Sequence, residues 1–362
     1  MRLITSAMFA SKFRGSMLGA LAGDCCGAPY EGHDVCVGGE RIILKKYFDK
    51  LEGPYFKAPK KAYTDDTAMS MCLAKVLIRH GRIDDKELAV EFVKEYFTDP
   101  RRGYGGAVIQ VFNKLRKSKF ADPLQPAREQ FNGSGSFGNG GAMRVAPVAL
   151  FGHKKTSDEI IEMAKQSALI THYHKQGIDG TVLQALAVHA ALLMDPEQQL
   201  NTKDFISNLI EKMKAIEVDE EGLGLDDAQP FTKQLEAVAR FLSMNTEPSD
   251  DDVLNVLGND VSALYSVPTS IYCFLKAQKT IKGIDSDNPF RRAVEYAISL
   301  GGDADTIASM AGAISGAFYG ENVISTNLVK HLEFHEEVTL LANELHEASL
   351  KTNVGRKSAP VE

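Results

Sequence analysis

Two apolar segments of this chain carry a small residue at every fourth position, and no other feature restricts the fold as tightly. Gly15, Gly19 and Gly23 recur through SKFRGSMLGALAGDCCG, and Ala308, Gly312 and Gly316 recur through DTIASMAGAISGAFYG. Four-residue spacing keeps such positions on one helical face. A glycine inside a helix costs roughly 1 kcal/mol relative to alanine, so a stripe of them points to close backbone packing. Both segments read as tightly packed helices, the second one central to the fold.

Helical periodicity continues through most of the sequence. Met69, Cys72, Leu73, Val76 and Leu77 repeat at three and four residues, with Gly81 as the stop. Similar patterns cover Leu88–Phe97, Gly106–Leu115, Ser157–Ile170, Gly180–Leu193, Phe205–Ile216, Phe231–Met244, Pro268–Ala277 and Phe290–Leu300, with Pro268 at a first-turn position. Arg41–Phe48 is the best of a weak set of strand candidates. The expectation is an all-α chain: one compact multi-helix domain over residues 1–352 and a frayed tail over 353–362. Asp195–Asp260 is more acidic and polar, broken at Gly222–Asp227, and reads as a peripheral helical segment with a loop.

Composition narrows the function. The net charge of −7 over 362 residues argues against binding a nucleic-acid backbone. Five cysteines without CxxC spacing argue against a disulfide framework or a zinc site and fit a reducing compartment. No apolar run approaches the ~20 residues that span a bilayer, and MRLITSAMFASKFRG is too short and weakly apolar for a clear secretory signal.

Three constellations and one smaller feature are candidates for chemistry. In YTDDTAMSM, Thr64 suits a helix N-cap, and Asp65 and Asp66 favour the positive end of the helix dipole. In SLGGDADTIAS, Asp303 and Asp305 stand two apart and cannot share a helical face, but a turn through Gly301 and Gly302 lets them converge. Neither acidic turn contains a lysine or arginine. Buried carboxylates need compensation, and oxygen-only ligands suit magnesium, calcium or manganese rather than zinc. The third, FNGSGSFGNGGAMR, matches GxGxxG at Gly133, Gly135 and Gly138, yet the preceding AREQF reads as helix where a dinucleotide fold needs a strand. It remains either a glycine-rich connector or a backbone cradle for phosphate running into a helix over Ala142–Phe151, with Phe131 and Phe137 placed to stack on a base. The smaller feature, GDCCGAPYEGHD, places Asp24, Glu31, His33 and Asp34 around a Gly/Pro-containing loop. Glu31 reads there as a general base or, more simply, as a solvated loop acid.

Together GDCCGAPYEGHD, YTDDTAM, FNGSGSFGNGGAMR, THYHKQGIDG and SLGGDADTIASMAGAISGAFYG resemble the ADP-ribosylhydrolase family, which includes the bacterial dinitrogenase-reductase-activating glycohydrolases. They occur in family order from Phe13 to Gly320. The YEGHD loop and the glycine-rich stretch most resemble the family's serine-ADP-ribosyl hydrolase branch. The resemblance implies an all-helical fold around a binuclear magnesium site, with Thr64, Asp65, Asp66, Asp303, Asp305 and Thr306 as ligands and Asp305 serving both ions. It assigns Glu31 the place of the catalytic glutamate, replacing the solvated-acid reading. It assigns Gly135, Ser136, Phe137, Gly138 and Asn139 to an ADP-ribose cradle and His172 to a further ligand-contacting motif; Phe131 joins them from its place beside the glycine loop, not from the resemblance. At Phe137 the family member this chain most resembles carries tyrosine, so a hydroxyl is missing while ring stacking survives. The implied substrates are serine-linked ADP-ribosylated proteins, poly(ADP-ribose) and O-acetyl-ADP-ribose, acted on by a monomer in cytoplasm and nucleus, with the mitochondrial matrix open, and without contact to DNA or membrane. Hydrolysis of arginine-linked ADP-ribose and non-catalytic ADP-ribose reading are the rival functions.

Overall fold

The computed structural model describes residues 5–217 and 228–351. The expected break at Gly222–Asp227 and the 353–362 tail lie outside these residues. The helices are α1 (Ser6–Gly27), α2 (Gly39–Glu52), α3 (Asp65–His80), α4 (Asp85–Thr98), α5 (Gly106–Lys117), α6 (Gln125–Arg128), α7 (Ala146–Phe151) and α8 (Ser157–Ala168). They continue as α9 (Lys175–Leu193), α10 (Thr202–Ile216), α11 (Pro230–Ser243), α12 (Asp250–Leu257), α13 (Ala263–Lys276), α14 (Pro289–Ser299), α15 (Ala304–Tyr319), α16 (Thr326–Lys330) and α17 (His335–Lys351). Among the described residues no strand forms, and β-pairing is limited to isolated bridges such as Gly138 with Ser262. The chain is all-α, with one contiguous hydrophobic core.

The two small-residue stripes turn out to be each other's partner. A Cβ on Gly19 would sit 2.3 Å from the Gly312 carbonyl oxygen, and one on Gly23 would sit 2.2 Å from that of Ala308. Gly15 meets Gly316 in the same way, and Gly27 meets Asp305. α1 and α15 therefore run antiparallel in backbone contact, and any side chain at these positions would force them apart. This pairing places the end of α1 against the start of α15.

Three sequence expectations are corrected. Arg41–Phe48 lies inside α2, where Leu44, Phe48 and Leu51 are buried at helical spacing while Ile42 and Ile43 face outward. Its short apolar run imitated a strand, but its burial follows the helical period. Pro268 is interior to α13, which already begins at Ala263, whose N–H donates to Phe137 O at 3.0 Å. The proline costs one intrahelical hydrogen bond there. The helix expected over Ala142–Phe151 starts only at Ala146, with Pro147 in its first turn, and Asn139–Gly141 forms a separate 3-10 turn.

Candidate active site

The loop after α1 carries Glu31 and is zipped to the turn before α15. Gly32 N donates to Gly302 O at 2.8 Å, and Gly302 N donates to His33 O at 2.9 Å. Gly301 and Gly302 adopt φ of +70° and +65°. A Cβ on Gly301 would lie 2.5 Å from the His33 carbonyl oxygen, so the double glycine is required by both conformation and space. Asp303 follows as the residue capping α15, its N–H donating to Asn259 O at 2.8 Å, and Asp305 sits in the first helical turn.

The second acidic turn is built as a helix cap, as the sequence implied. Thr64 Oγ1 accepts from Asp66 N at 3.4 Å. The turn is also clamped from below by Asp24, fully buried near the end of α1. The Asp24 carboxylate accepts from Thr64 N at 3.0 Å, Thr67 N at 3.1 Å and Thr67 Oγ1 at 2.5 Å. Sequence reasoning named Asp24 as a loop acid and gave it no place in the site. Its one signal was its position directly after Gly23, at the end of the glycine stripe.

The two acidic turns meet. Thr306 Oγ1 donates to Asp66 Oδ2 at 3.3 Å, and Thr64 Oγ1 donates to the same oxygen at 3.1 Å. Carboxylate oxygens of Asp24, Asp66 and Asp305 lie within 4.8 Å of one another, and so do those of Glu31, Asp303 and Asp305. Asp305 belongs to both groups. Asp65 lines the same cleft, its N–H donating to Arg102 O at 2.7 Å.

Burial raises the proton affinity of these acids, and their mutual repulsion adds to it. Desolvation first, then neighbouring carboxylates, pushes Asp65 up to about 8 and Asp305 up to about 9. Asp24 rises to about 6 through desolvation, opposed by its hydrogen bonds from Thr67 and Thr64. Asp66 and Asp303 are also raised, with burial as the leading cause. No lysine or arginine forms an ion pair with these five acids among the described residues. Asp66 Oδ1 is buried without any hydrogen-bond partner. An orphaned carboxylate oxygen inside an all-oxygen, uncompensated acidic cluster fits a hard divalent cation.

Opposite this floor stands the glycine-rich loop. Asn139 N donates to Val261 O at 2.9 Å, which together with the Ala263–Phe137 bond ties the loop to the segment before α13. Asn139 Nδ2 reaches down to Asp303 Oδ2 at 2.5 Å and Ser266 Oγ at 3.1 Å, joining wall to floor. Phe131 and Phe137 are about half exposed, at 54% and 48%, with ring centroids 6.5 Å apart and planes 33° from parallel. Phe131 and Asn132 hold φ of +51° and +58°, a conformation that non-glycine residues adopt at a cost.

Floor and wall enclose a cavity of about 340 Å³. Its floor includes Glu31, Thr64, Asp65, Asp66, Asp303, Asp305 and Thr306, and its wall includes Phe131, Ser136, Phe137, Gly138, Asn139 and His172. Gly135 is the one expected site residue outside this lining. At φ +73° it turns the loop against Tyr173 and His174, where a Cβ would meet His174 N at 2.5 Å. Arg144, absent from the sequence expectations, is fully buried behind the wall and also lines the cleft.

A family model described as ADP-ribosylglycohydrolase matches residues 5–354. The protein named ADP-ribosylhydrolase ARH3 of Gallus gallus is 41% identical over 349 residues, which cover 93% of this chain and 93% of that one. Its namesake of Homo sapiens is 38% identical over 354 residues, 94% of each chain. A solved structure of an ADP-ribosylglycohydrolase-related protein complex shares the fold, with a TM-score of 0.66 at 21% identity over 94% of this chain and 99% of that one.

Proposed function

The chain belongs to the ADP-ribosylglycohydrolase family and is a glycohydrolase, and from that premise we propose that it removes ADP-ribose from serine-linked protein ADP-ribosylation in a magnesium-dependent reaction. Poly(ADP-ribose) and O-acetyl-ADP-ribose are further substrates in this reading. The observation that carries it is the convergence of two acidic turns and Glu31 on one cleft whose opposite wall is a glycine-rich loop.

Two magnesium ions would be held by Thr64, Asp65, Asp66, Asp303, Asp305 and Thr306, with Asp305 shared because it lies in both carboxylate groups. When bound, magnesium supplies the positive charge that neutralises these acids, holds ribose hydroxyls and orders a water. Asp24 keeps the Thr64–Thr67 turn in place through its hydrogen bonds. Asn139 keeps Asp303 aimed at the cleft. Glu31 is the exposed acid at the mouth, with a carboxylate oxygen within 4.8 Å of those of Asp303 and Asp305. Cleavage of the O-glycosidic bond passes through an oxocarbenium-like state. Glu31 moves the proton, between the leaving oxygen or attacking water and its own carboxylate. The glycine loop takes the diphosphate and ribose, and Phe131 and Phe137 offer ring faces to the adenine.

The net charge of −7 argues against a DNA backbone as the partner. No helix among the described residues is long and apolar enough to cross a membrane. We place the protein in cytoplasm and nucleus, with the mitochondrial matrix as a further site, acting as a monomer. The deciding experiment measures turnover of serine-linked and arginine-linked ADP-ribosyl peptides with and without chelator. Chelator-sensitive release from serine is expected. Release from arginine alone, or tight ADP-ribose binding with no turnover of any linkage, would replace the reading with a different hydrolase or a reader.

A further inference from the structure

Arg144 is fully buried, yet no carboxylate pairs with it among the described residues. Its guanidinium donates to Gly140 O, to Ser167 O at 3.1 Å and to Thr171 Oγ1 at 2.8 Å, while its Nε meets no partner. The Asp65 charge acts on it only through space and the Phe92 ring lies 4.9 Å from its centre, so its hydrogen bonds go to two carbonyls and one hydroxyl rather than to a counter-ion. Thr171 and His172 follow α8, and both their N–H groups bond to Ala168 O, so their backbone is well held.

A guanidinium can only donate, so Thr171 Oγ1 accepts from it. The same oxygen lies 2.7 Å from His172 Nδ1, and Thr171 is buried. The hydroxyl has a single proton. Directed at Nδ1, it satisfies both groups. Were Nδ1 itself protonated, the two donors would fill the oxygen's two lone pairs and the hydroxyl proton would have no acceptor among the described residues. The ring proton therefore sits on Nε2. Burial, and secondarily the Arg144 charge, pushes the His172 pKa down to about 3, which keeps the ring neutral and the choice of one nitrogen meaningful.

Nε2 borders the wall of the cleft. A Cβ on Gly140 would lie 3.2 Å from it and one on Gly138 3.6 Å, and no protein acceptor meets it among the described residues. We propose that Arg144, acting through Thr171, fixes the tautomer of His172 so that its Nε2–H stands ready to donate to the anionic part of the ligand. Arg144 and Thr171 are positioning residues in this relay, and His172 is the group that touches the ligand. The contact with ADP-ribose rests on the functional reading above; the tautomer does not.

The test is imidazole ¹⁵N spectroscopy of histidine-labelled full-length protein without ligand, with the His172 signals identified by their loss in His172→Gln. The wild type is expected to show the Nε2–H tautomer alone between pH 6 and 8. Thr171→Val removes the hydroxyl and nearly preserves shape. It should release the tautomer to a mixture or to Nδ1–H and raise the Kd for ADP-ribose about tenfold by calorimetry. Thr171→Ser should restore both readouts, which a purely steric role would not predict. A wild-type Nδ1–H tautomer, or a Thr171→Val spectrum identical to wild type, overturns the relay. Should the wild type bind no ADP-ribose, the functional reading fails, and the ligand-free spectra still decide whether the relay exists.

Discussion

The acidic floor of the cleft is held by side chains bonded to one another, whereas its glycine-rich wall is held by backbone bonds and leaves ring faces open. On the floor, Asp24, Thr64, Thr67, Asp66 and Thr306 are locked together beneath two helix N-termini. Every ionisable group there is acidic, and among the described residues none forms an ion pair. On the wall, the backbone of Phe137 and Asn139 is stapled to the 261–263 segment, and Phe131 and Phe137 project into the opening. The floor is thus shaped for cations and the chemistry around them, and the wall for the anionic and aromatic parts of a ligand. One cleft can serve a nucleotide sugar because its two sides carry opposite preferences.

That division is broken most severely at Asp305, the acid common to both carboxylate groups. Asp305→Ala is expected to lower turnover by more than about 10⁴-fold, above ~5 kcal/mol of barrier, and to remove the magnesium-induced rise in Tm. A variant retaining tenth-normal activity would mean that the floor is an acidic cluster without a catalytic ion.

Glu31→Gln tests whether the mouth of the floor does proton transfer. It removes ionisation with little change of shape. Single-turnover rates should fall about 10²–10⁴-fold, while ADP-ribose affinity shifts by less than about tenfold, ~1.4 kcal/mol. Equal losses in rate and binding would assign Glu31 to binding alone.

Asp24, Asp65 and Asp305 are raised from about 4 to about 6, 8 and 9. Between pH 4 and 9 the folded, metal-free protein therefore holds protons that the unfolded chain has released, and its stability falls as pH rises through that window. Bound magnesium would displace those protons. At a concentration a hundredfold above its Kd at pH 6 it should add about 2.7 kcal/mol there, and at that same concentration the Tm shift should grow towards pH 9 as Kd falls. Calorimetric scans with and without chelator measure this, and a shift independent of pH would place the ion elsewhere.

Changes to the wall should be milder. Gly138 leaves ordinary contact distance for a Cβ, with Val261 O at 3.5 Å and His172 Nε2 at 3.6 Å, but Ser136 Oγ at 3.3 Å is already tight. Gly138→Val adds branches where the ligand approaches, so ADP-ribose Kd should rise about tenfold, ~1.4 kcal/mol, with the magnesium response intact. Phe137→Tyr extends a half-exposed ring and should change Kd by less than about threefold, ~0.7 kcal/mol. Titration calorimetry of both variants separates a ligand wall from a mere connector: an unaltered Kd for the valine variant would favour the connector.

Much of this was legible in the residues themselves. The helical class follows from the period of apolar positions, the Thr64 cap from local side-chain chemistry, and the need for close packing from glycines in helices. These are short-range properties, settled within one or two turns of chain. Arg41–Phe48 and Pro268 misled for the same reason. A short apolar run does not say which period its burial follows, and a proline does not say where its helix began, because both depend on what packs alongside.

What tertiary structure alone decided is which pieces meet. The two glycine stripes are separated by almost the whole sequence, and only their antiparallel contact brings Asp24 and Glu31 to Asp303 and Asp305. Asp24 became part of the site through that contact. Arg144, Thr171 and His172 form a relay only because the end of α8 folds over the glycine loop. Local sequence determines which groups are available and the conformations they prefer. Whether a carboxylate is solvated or buried among others, and whether a histidine nitrogen accepts or donates, depends on neighbours within a few ångströms that the chain supplies from far away.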